Sequence, residues 1–336
     1  MTNESLNLNK PNSPFVLRPV GKDYLWGGNR LNDDFSKEID MSPLAETWEC
    51  STHPAGVSLV GSGVFRGKAL TEVLKEYPQM LGRYANDRGE LPILIKLIDA
   101  KDNLSIQVHP DDAYASANEN GSLGKTEMWY VLDAAPGSEI IYGFARDTSR
   151  EEVEEAIRNK FLPDLLRRVP IEKNQVYFVQ PGTVHGISKG ALLAEVQESS
   201  DITYRLYDYD RVDKNGNQRP LHIDKALEVM DYSSSENPRQ PIRVLKYTPG
   251  SASEILCRCK YFQTERLLMN TERNRGYMIF PALQETFQVL LCTDGCAVMH
   301  TDTEIVDLFK GDCVFVPAGQ YEIKLHGMAQ FLKVRC

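Results

Sequence analysis

The sequence predicts a mainly β protein of two barrel-like halves with a few helices, and two observations carry that expectation. Short β-branched and aromatic runs recur between frequent Gly, Pro and Asp: Ile93 to Ile98, Met128 to Leu132, Gln175 to Val179, Leu192 to Gln197, Phe287 to Cys292 and Val314 to Val316. Many short strands divided by turn signals read as a sandwich or barrel. In addition, Lys173 to His185 aligns without gaps on Lys310 to Glu322. Each copy is a turn, a strand, a Pro/Gly turn, and a polar residue three positions after the second turn's Gly, as expected of an internal repeat.

Along the chain, Met1 to Ser13 is polar and Asn-rich, with neither an apolar signal core nor an Arg-rich transit pattern. Residues 1–16 are therefore expected to be a disordered lead-in and the protein to be cytoplasmic. Leu70, Val73, Leu74 and Tyr77 follow helical spacing up to Pro78. A second helix begins after Thr148 or Ser149, with Glu151 and Glu152 suited to its positive end. Val153, Ala156, Ile157 and Phe161 form its apolar stripe, which Pro163 kinks or ends. A third runs from about Leu221 to Met230 after Pro220. The polar run Ser233 to Gln240 reads as a linker. It divides a first unit, residues 17–232, from a second, residues 241–336.

Composition narrows the function. The 336 residues suffice for one large or two medium domains. No hydrophobic run reaches membrane-spanning length. A net charge of −9, with no basic stripe carrying interleaved aromatics, argues against nucleic acid. Seven cysteines, an odd number without framework-like spacing, suit a reducing compartment. Cys257/Cys259 and Cys292/Cys296 lie in apolar strand-like segments and read as buried free thiols rather than metal ligands.

Chemistry concentrates in Gln107-Val108-His109-Pro110, Lys125-Thr126-Glu127 and Gln180 to His185. In an extended segment residues i and i+2 share a face, so Gln107 and His109 aim at one point. Glu127 and His185 lie in or beside other apolar runs and converge there if the sheet closes. Two imidazoles, a carboxylate and an amide make a mixed N/O site for zinc, manganese or iron. A buried Glu127 needs a cation partner. Ordinary roles also fit each residue. Gln107 can be a satisfied core amide, Arg205 can pair with Asp201 or Asp208, Lys96 and Lys125 can be surface lysines, and Glu46 and Glu195 solvated or salt-bridged. His53, His300 and His326 read as hydrogen-bonding residues, and His222 as ordering the start of the third helix.

The repeated segment resembles the second motif of the cupin fold: Gly, five residues, Pro, any residue, Gly, two residues and His. The first copy keeps Gly182 and His185 but has Asn174 and Gln180 in the Gly and Pro positions. The second keeps Gly311, Pro317 and Gly319 but has Glu322 in the histidine position. Two cupin-type jelly-roll barrels are implied, the first with a metal and the second without. Taken in order, Leu91 to Lys96, Leu104 to Asp112, Lys125 to Met128, Gln180 to His185 and Ser199 to Asp208 resemble type I mannose-6-phosphate isomerase, in its shorter bacterial class.

The resemblance implies that Gln107, His109, Glu127 and His185 are zinc ligands, with one Zn2+ per chain. It implies that Arg205 lies near the sugar's reacting carbons, that Lys96 and Lys125 are active-site lysines, and that Glu46 and Glu195 line the same cavity. The implied reaction interconverts mannose 6-phosphate and fructose 6-phosphate through a cis-enediol, by a monomer or homodimer acting on a small sugar phosphate. Such chemistry needs charge stabilisation at the enediolate, for which Arg205 is suited, and a base within reach of both carbons. Glu195, Lys125 or a water on the metal each fit that role. Competing expectations are a cupin isomerase of a non-phosphorylated sugar, an iron cupin oxygenase using His109, Glu127 and His185, and a non-catalytic sugar-binding protein with two such barrels.

Overall fold

The structure is a computed structural model that describes residues 12–336 apart from 214, 237, 239, 274 and 275. It is mainly β, and its strands form three layers. A five-stranded sheet runs in the order Tyr204–Tyr207, Ile106–Val108, His185–Ile187, Glu139–Phe144, Leu166–Pro170. It faces a six-stranded sheet ordered Val176–Val179, Glu127–Ala134, Ala191–Glu198, Ile93–Asp99, Glu46–Cys50, Val20–Lys22. The other face of that sheet packs on a ten-stranded C-terminal sheet, whose longest strands are Gln288–His300 and Glu322–Arg335.

Alternation along one strand explains the layering. In Ile93–Asp99 every residue is buried, as in a strand covered on both faces. Ile93, Ile95 and Leu97 join Phe287, Leu291 and Phe315 in the core shared with the C-terminal sheet. Ile98 points the other way, packing with Trp129 and Leu193 against Ile140 and Ile187 of the five-stranded sheet. Lys96 shares that second face, so a charged side chain enters the space between two sheets.

The helices read from the sequence form as Leu70–Glu76, Arg150–Arg158 and Ile223–Val229. Ser149 caps the second, accepting a hydrogen bond from the Glu152 N–H at 3.2 Å, and Pro163 lies inside a further short helix, Leu162–Leu165. Two more helices, Arg30–Phe35 and Asp112–Asn118, were not expected. The repeat is structural as well. Val176–Val179 and Cys313–Val316 are corresponding strands, and His185 and Glu322 each open the next one. Asn174, in the position of Gly311, has φ 72° against 104° for the glycine; asparagine tolerates this left-handed region better than most residues.

Residues 1–11 of the expected lead-in lie outside the described residues, and at its end Phe15 and Val16 already belong to strand Phe15–Arg18. That strand pairs with Cys313–Val316 of the C-terminal sheet, Phe15 opposite Phe315. The Phe315 ring stacks between Phe15 and Phe287, with centroids 5.3 and 5.5 Å away. Phe315→Ala is expected to cost about 3–5 kcal/mol, read as a lower denaturation midpoint at unchanged m-value. Within the expected linker, Asn237 and Arg239 lie outside the described residues, while Gln240 pairs its side-chain amide with both the N–H and the C=O of Val176 at 2.8 and 3.0 Å. The thiol expectation needs one correction. All seven cysteines are free, but only Cys292 of the two pairs is buried, Cys257 and Cys259 are half-buried, and Cys296 is exposed within strand Gln288–His300, just past its register shift between Cys292 and Asp294. Among the described residues no helix is long and apolar enough to cross a membrane.

Candidate metal and active centre

Two rows of side chains meet between the facing sheets. Residues in register on neighbouring antiparallel strands point to the same face. In the six-stranded sheet, Trp48 pairs with Lys96, Lys96 with Glu195, and Glu195 with Trp129. Glu46 and Glu127 stand two residues before Trp48 and Trp129 and share their face. In the five-stranded sheet, Arg205 pairs with Gln107, and Gln107 with His185; His109 follows Gln107 by two. Strand register thus brings every expected site residue from these two sheets toward one space.

The centre is a cluster of His109, Glu127 and His185, whose ligating atoms lie within 4.8 Å of one another. Each imidazole donates its Nδ1–H to a backbone carbonyl, His109 to Ile202 at 2.7 Å and His185 to Thr183 at 2.8 Å. This fixes the tautomer that turns both Nε2 lone pairs inward. The two Nε2 atoms stand 3.1 Å apart, and Glu127 is 3.5 Å from one and 3.3 Å from the other. The Gln107 amide is 3.4 Å from His185 Nε2, and rotation of that amide would present its oxygen instead. Glu127 Oε1 is buried without a hydrogen-bonding partner. Lys125 supplies one cation, 3.1 Å from His109 Nε2 and 2.6 Å from Glu127 Oε2. It leaves His185 Nε2 and Glu127 Oε1 facing each other with no donor between them, and the donor set of these four residues fits a divalent metal with N and O ligands.

Electrostatics around the cluster follow from burial. Burial, then Lys125 and His185, hold the His109 imidazole well below its ordinary pKa, and burial lowers His185 to about 4. Both rings are thus neutral and ready to ligate. Burial and nearby Glu195 raise Glu127 to about 7, against the pull of Lys125, whose Nζ stands 2.6 Å from Oε2. Glu195 ends on the other side. Burial acts to raise it, but Lys125 at 3.7 Å, Lys96 at 3.3 Å and the Trp129 indole N–H at 2.9 Å together bring it to about 2. Glu46 lies 3.9 Å from Lys96 and accepts the Trp48 indole N–H at 2.8 Å, yet burial leaves its carboxyl raised. Lys96 is itself held ionised: burial opposes its charge, but Glu46 and Glu195 outweigh that.

Lys96 and Lys125 are therefore buried rather than surface lysines. Arg205 pairs with neither Asp201 nor Asp208. Asp208 is taken by Arg211 and Arg219, and among the described residues the Arg205 guanidinium hydrogen-bonds the Pro220 carbonyl, at 3.5 Å. His222 accepts the Arg205 backbone N–H at 3.2 Å and stands at the start of helix Ile223–Val229, which agrees with its expected ordering role. Three site residues escaped the sequence reading. The Trp48 and Trp129 indoles orient Glu46 and Glu195. The Tyr24 phenol is held neutral by burial and then by Glu46 and Asp201, with Lys96 and Arg205 opposing, so it stands among the groups of both rows. Glu46 and Trp48 share a strand face and could have been linked from their spacing; Tyr24 left no such signal.

Known proteins resemble this chain along most of its length. Residues 15–133 match the catalytic domain of type I phosphomannose isomerase, and residues 280–336 match the cupin domain of mannose-6-phosphate isomerase. Mannose-6-phosphate isomerase ManA of Bacillus subtilis is 36% identical over 317 residues, 94% of this chain and 97% of its own length. The chain belongs to the type I phosphomannose isomerase family. A second relative in this family, mannose-6-phosphate isomerase of Streptococcus mutans, is 42% identical over 224 residues, 67% of this chain and 70% of its own. The crystal structure of the Bacillus subtilis mannose 6-phosphate isomerase superposes with a TM-score of 0.86 at 35% identity, covering 96% of this chain and 99% of that one.

Proposed function

We propose that this phosphomannose isomerase interconverts mannose 6-phosphate and fructose 6-phosphate, with one zinc ion per chain held by Gln107, His109, Glu127 and His185. The observation that carries the reading is the buried inward-facing pair of imidazole Nε2 atoms beside the unpartnered Glu127 oxygen. When bound, the metal supplies Lewis acidity at the sugar's carbonyl and hydroxyl oxygens. The chain's own groups do the rest. Arg205 stabilises negative charge on the enediolate. Glu195 stays ionised at neutral pH and, with Lys125, is a candidate to carry the proton between C1 and C2. Lys96 and Glu46 bind and orient the sugar, and the paired indoles keep both carboxylates aimed inward.

The same reading divides the chain into a metal-bearing part, residues 17–232, and a second part without ligands, residues 241–336. The separate matches over 15–133 and 280–336 support it. It takes the substrate as a free small molecule and the protein as a cytoplasmic monomer or homodimer, consistent with free thiols throughout and a net charge of −9. Neither the non-phosphorylated-sugar reading nor the iron-oxygenase reading has a counterpart among the relatives above.

The test is a coupled assay of zinc-loaded protein on fructose 6-phosphate, scoring mannose 6-phosphate. Turnover is expected to vanish with a chelator and return with zinc. Stoichiometric metal with no turnover would sink the reading.

A further inference from the structure

We infer that a second site, remote from the metal centre, binds a phosphorylated small molecule in a cavity lined by Arg83, Arg258 and Arg335. The cavity measures about 600 Å³, within the range of small-molecule pockets. It shares no residue with the metal centre. Its walls come from the hairpin joining strands Ser251–Arg258 and Gln263–Asn270, the end of Glu322–Arg335, the loop at Leu283 to Thr286, and Arg83.

The three guanidiniums carry the inference. In a protein with nine more acidic than basic residues, arginines brought together would ordinarily be matched by carboxylates. Among the described residues, none of these three has a carboxylate within ion-pair distance. Arg258 and Arg335 instead donate to one neutral oxygen, Gln263 Oε1, at 2.6 and 3.3 Å. Gln263 is buried, and its own amide nitrogen is tied to Glu265 at 2.5 Å, so the shared acceptor is fixed in place. It orients both forks without neutralising them. Arg83 lies over the Tyr84 ring, 5.1 Å from its centroid, and donates to the Tyr84 hydroxyl at 3.3 Å. Lys260 adds a fourth cation but is shared with Asp112 at 3.4 Å. Glu285 is the acid on the rim; it is exposed, and its backbone carbonyl accepts the Arg83 N–H.

Guanidinium forks match phosphate oxygens and form strong charge-assisted bonds with them. A concave wall with four cations to one exposed acid, Glu285, also focuses its net positive field on an entering anion. The Gln284 and Gln320 amides, 2.7 Å apart at the mouth, can hydrogen-bond a hydroxylated body attached to the phosphate. The hairpin also touches the catalytic half, since the Tyr261 hydroxyl donates to Asp112 at 2.8 Å, and Asp112 holds the Gly124 N–H next to Lys125. An occupant would therefore sit against a segment that leads into the active centre.

The test titrates the zinc-loaded enzyme with inorganic phosphate at constant ionic strength and follows hydrogen exchange peptide by peptide. Protection is expected in peptides covering residues 256–263 and 331–336. In an Arg258→Gln/Arg335→Gln variant its midpoint should weaken by at least about tenfold, while turnover of mannose 6-phosphate and any protection around the metal centre stay as they were. A matched variant, Arg66→Gln/Arg88→Gln, makes the same change in net charge away from the cavity and should leave the midpoint alone. No protection in the wild-type peptides, or an equal loss in both double variants, would overturn the site. If the cavity double variant does not fold, the exposed Arg83→Gln variant serves in its place, with a smaller shift in the same direction expected and an unchanged midpoint counting against the site.

Discussion

His109→Ala and His185→Ala are each expected to lose the bound metal and at least about a thousandfold in turnover. Replacing a residue that merely orients a metal ligand already costs about 10–100-fold in affinity, and removing a ligand costs more. The remaining donors are poorly placed to compensate. Lys125 is tied to Glu127, and the Gln107 amide is a weak ligand by itself. Metal analysis after dialysis and the coupled assay read both losses.

Melting curves separate this from simple damage. Zinc should raise the melting temperature of the wild-type protein, by mass action on the folded state, but not that of either variant. Without metal the variants should melt below the wild type, because each truncation opens a cavity at a buried residue and leaves a backbone carbonyl, Ile202 or Thr183, without its partner. The response to zinc is therefore read within each protein. A variant that keeps stoichiometric zinc and full turnover would remove that histidine from the ligand set.

Arg205→Lys is expected to lower kcat by about 10²–10³-fold, the scale for removing one preorganised donor from a developing oxyanion, with KM changed little. Lysine preserves the charge but not the planar fork, so a large effect from so conservative a change would locate the function in geometry. The structure leaves this guanidinium available, since Asp208 is committed to Arg211 and Arg219. A rise in KM at unchanged kcat would instead assign Arg205 to ground-state binding.

What could be read in the sequence was what depends on neighbours along the chain. Gln107 and His109 share a face by strand period, Ser149 announces a helix start, and the repeat ending in His185 and Glu322 marks two like units. The elements that escaped lack such local signals. Arg30–Phe35 is six residues long with no side-chain cap. Asp112–Asn118 has a cap at Asp111 but buries only Ala115, so no apolar stripe betrays it. The site divides in the same way. Candidate ligands grouped in short motifs were legible, whereas the bond from Trp129 to Glu195 depends on the register of two strands 66 residues apart. Tyr24 reaches the centre from a loop whose course only the folded chain defines.

The pairing of Phe15–Arg18 with Cys313–Val316 sets a timetable for synthesis. Phe15–Arg18 is made about 300 residues before this partner, which at ~5–20 residues per second is ~15–60 s. Throughout that interval the strand can pair on one side with Leu59–Val60, while the side that will meet Phe315 stays open. The two sheets around the His109–Glu127–His185 cluster can assemble first, but this strap closes only when Cys313–Val316 arrives. Shortening the chain at its far end is therefore expected to be felt at its beginning.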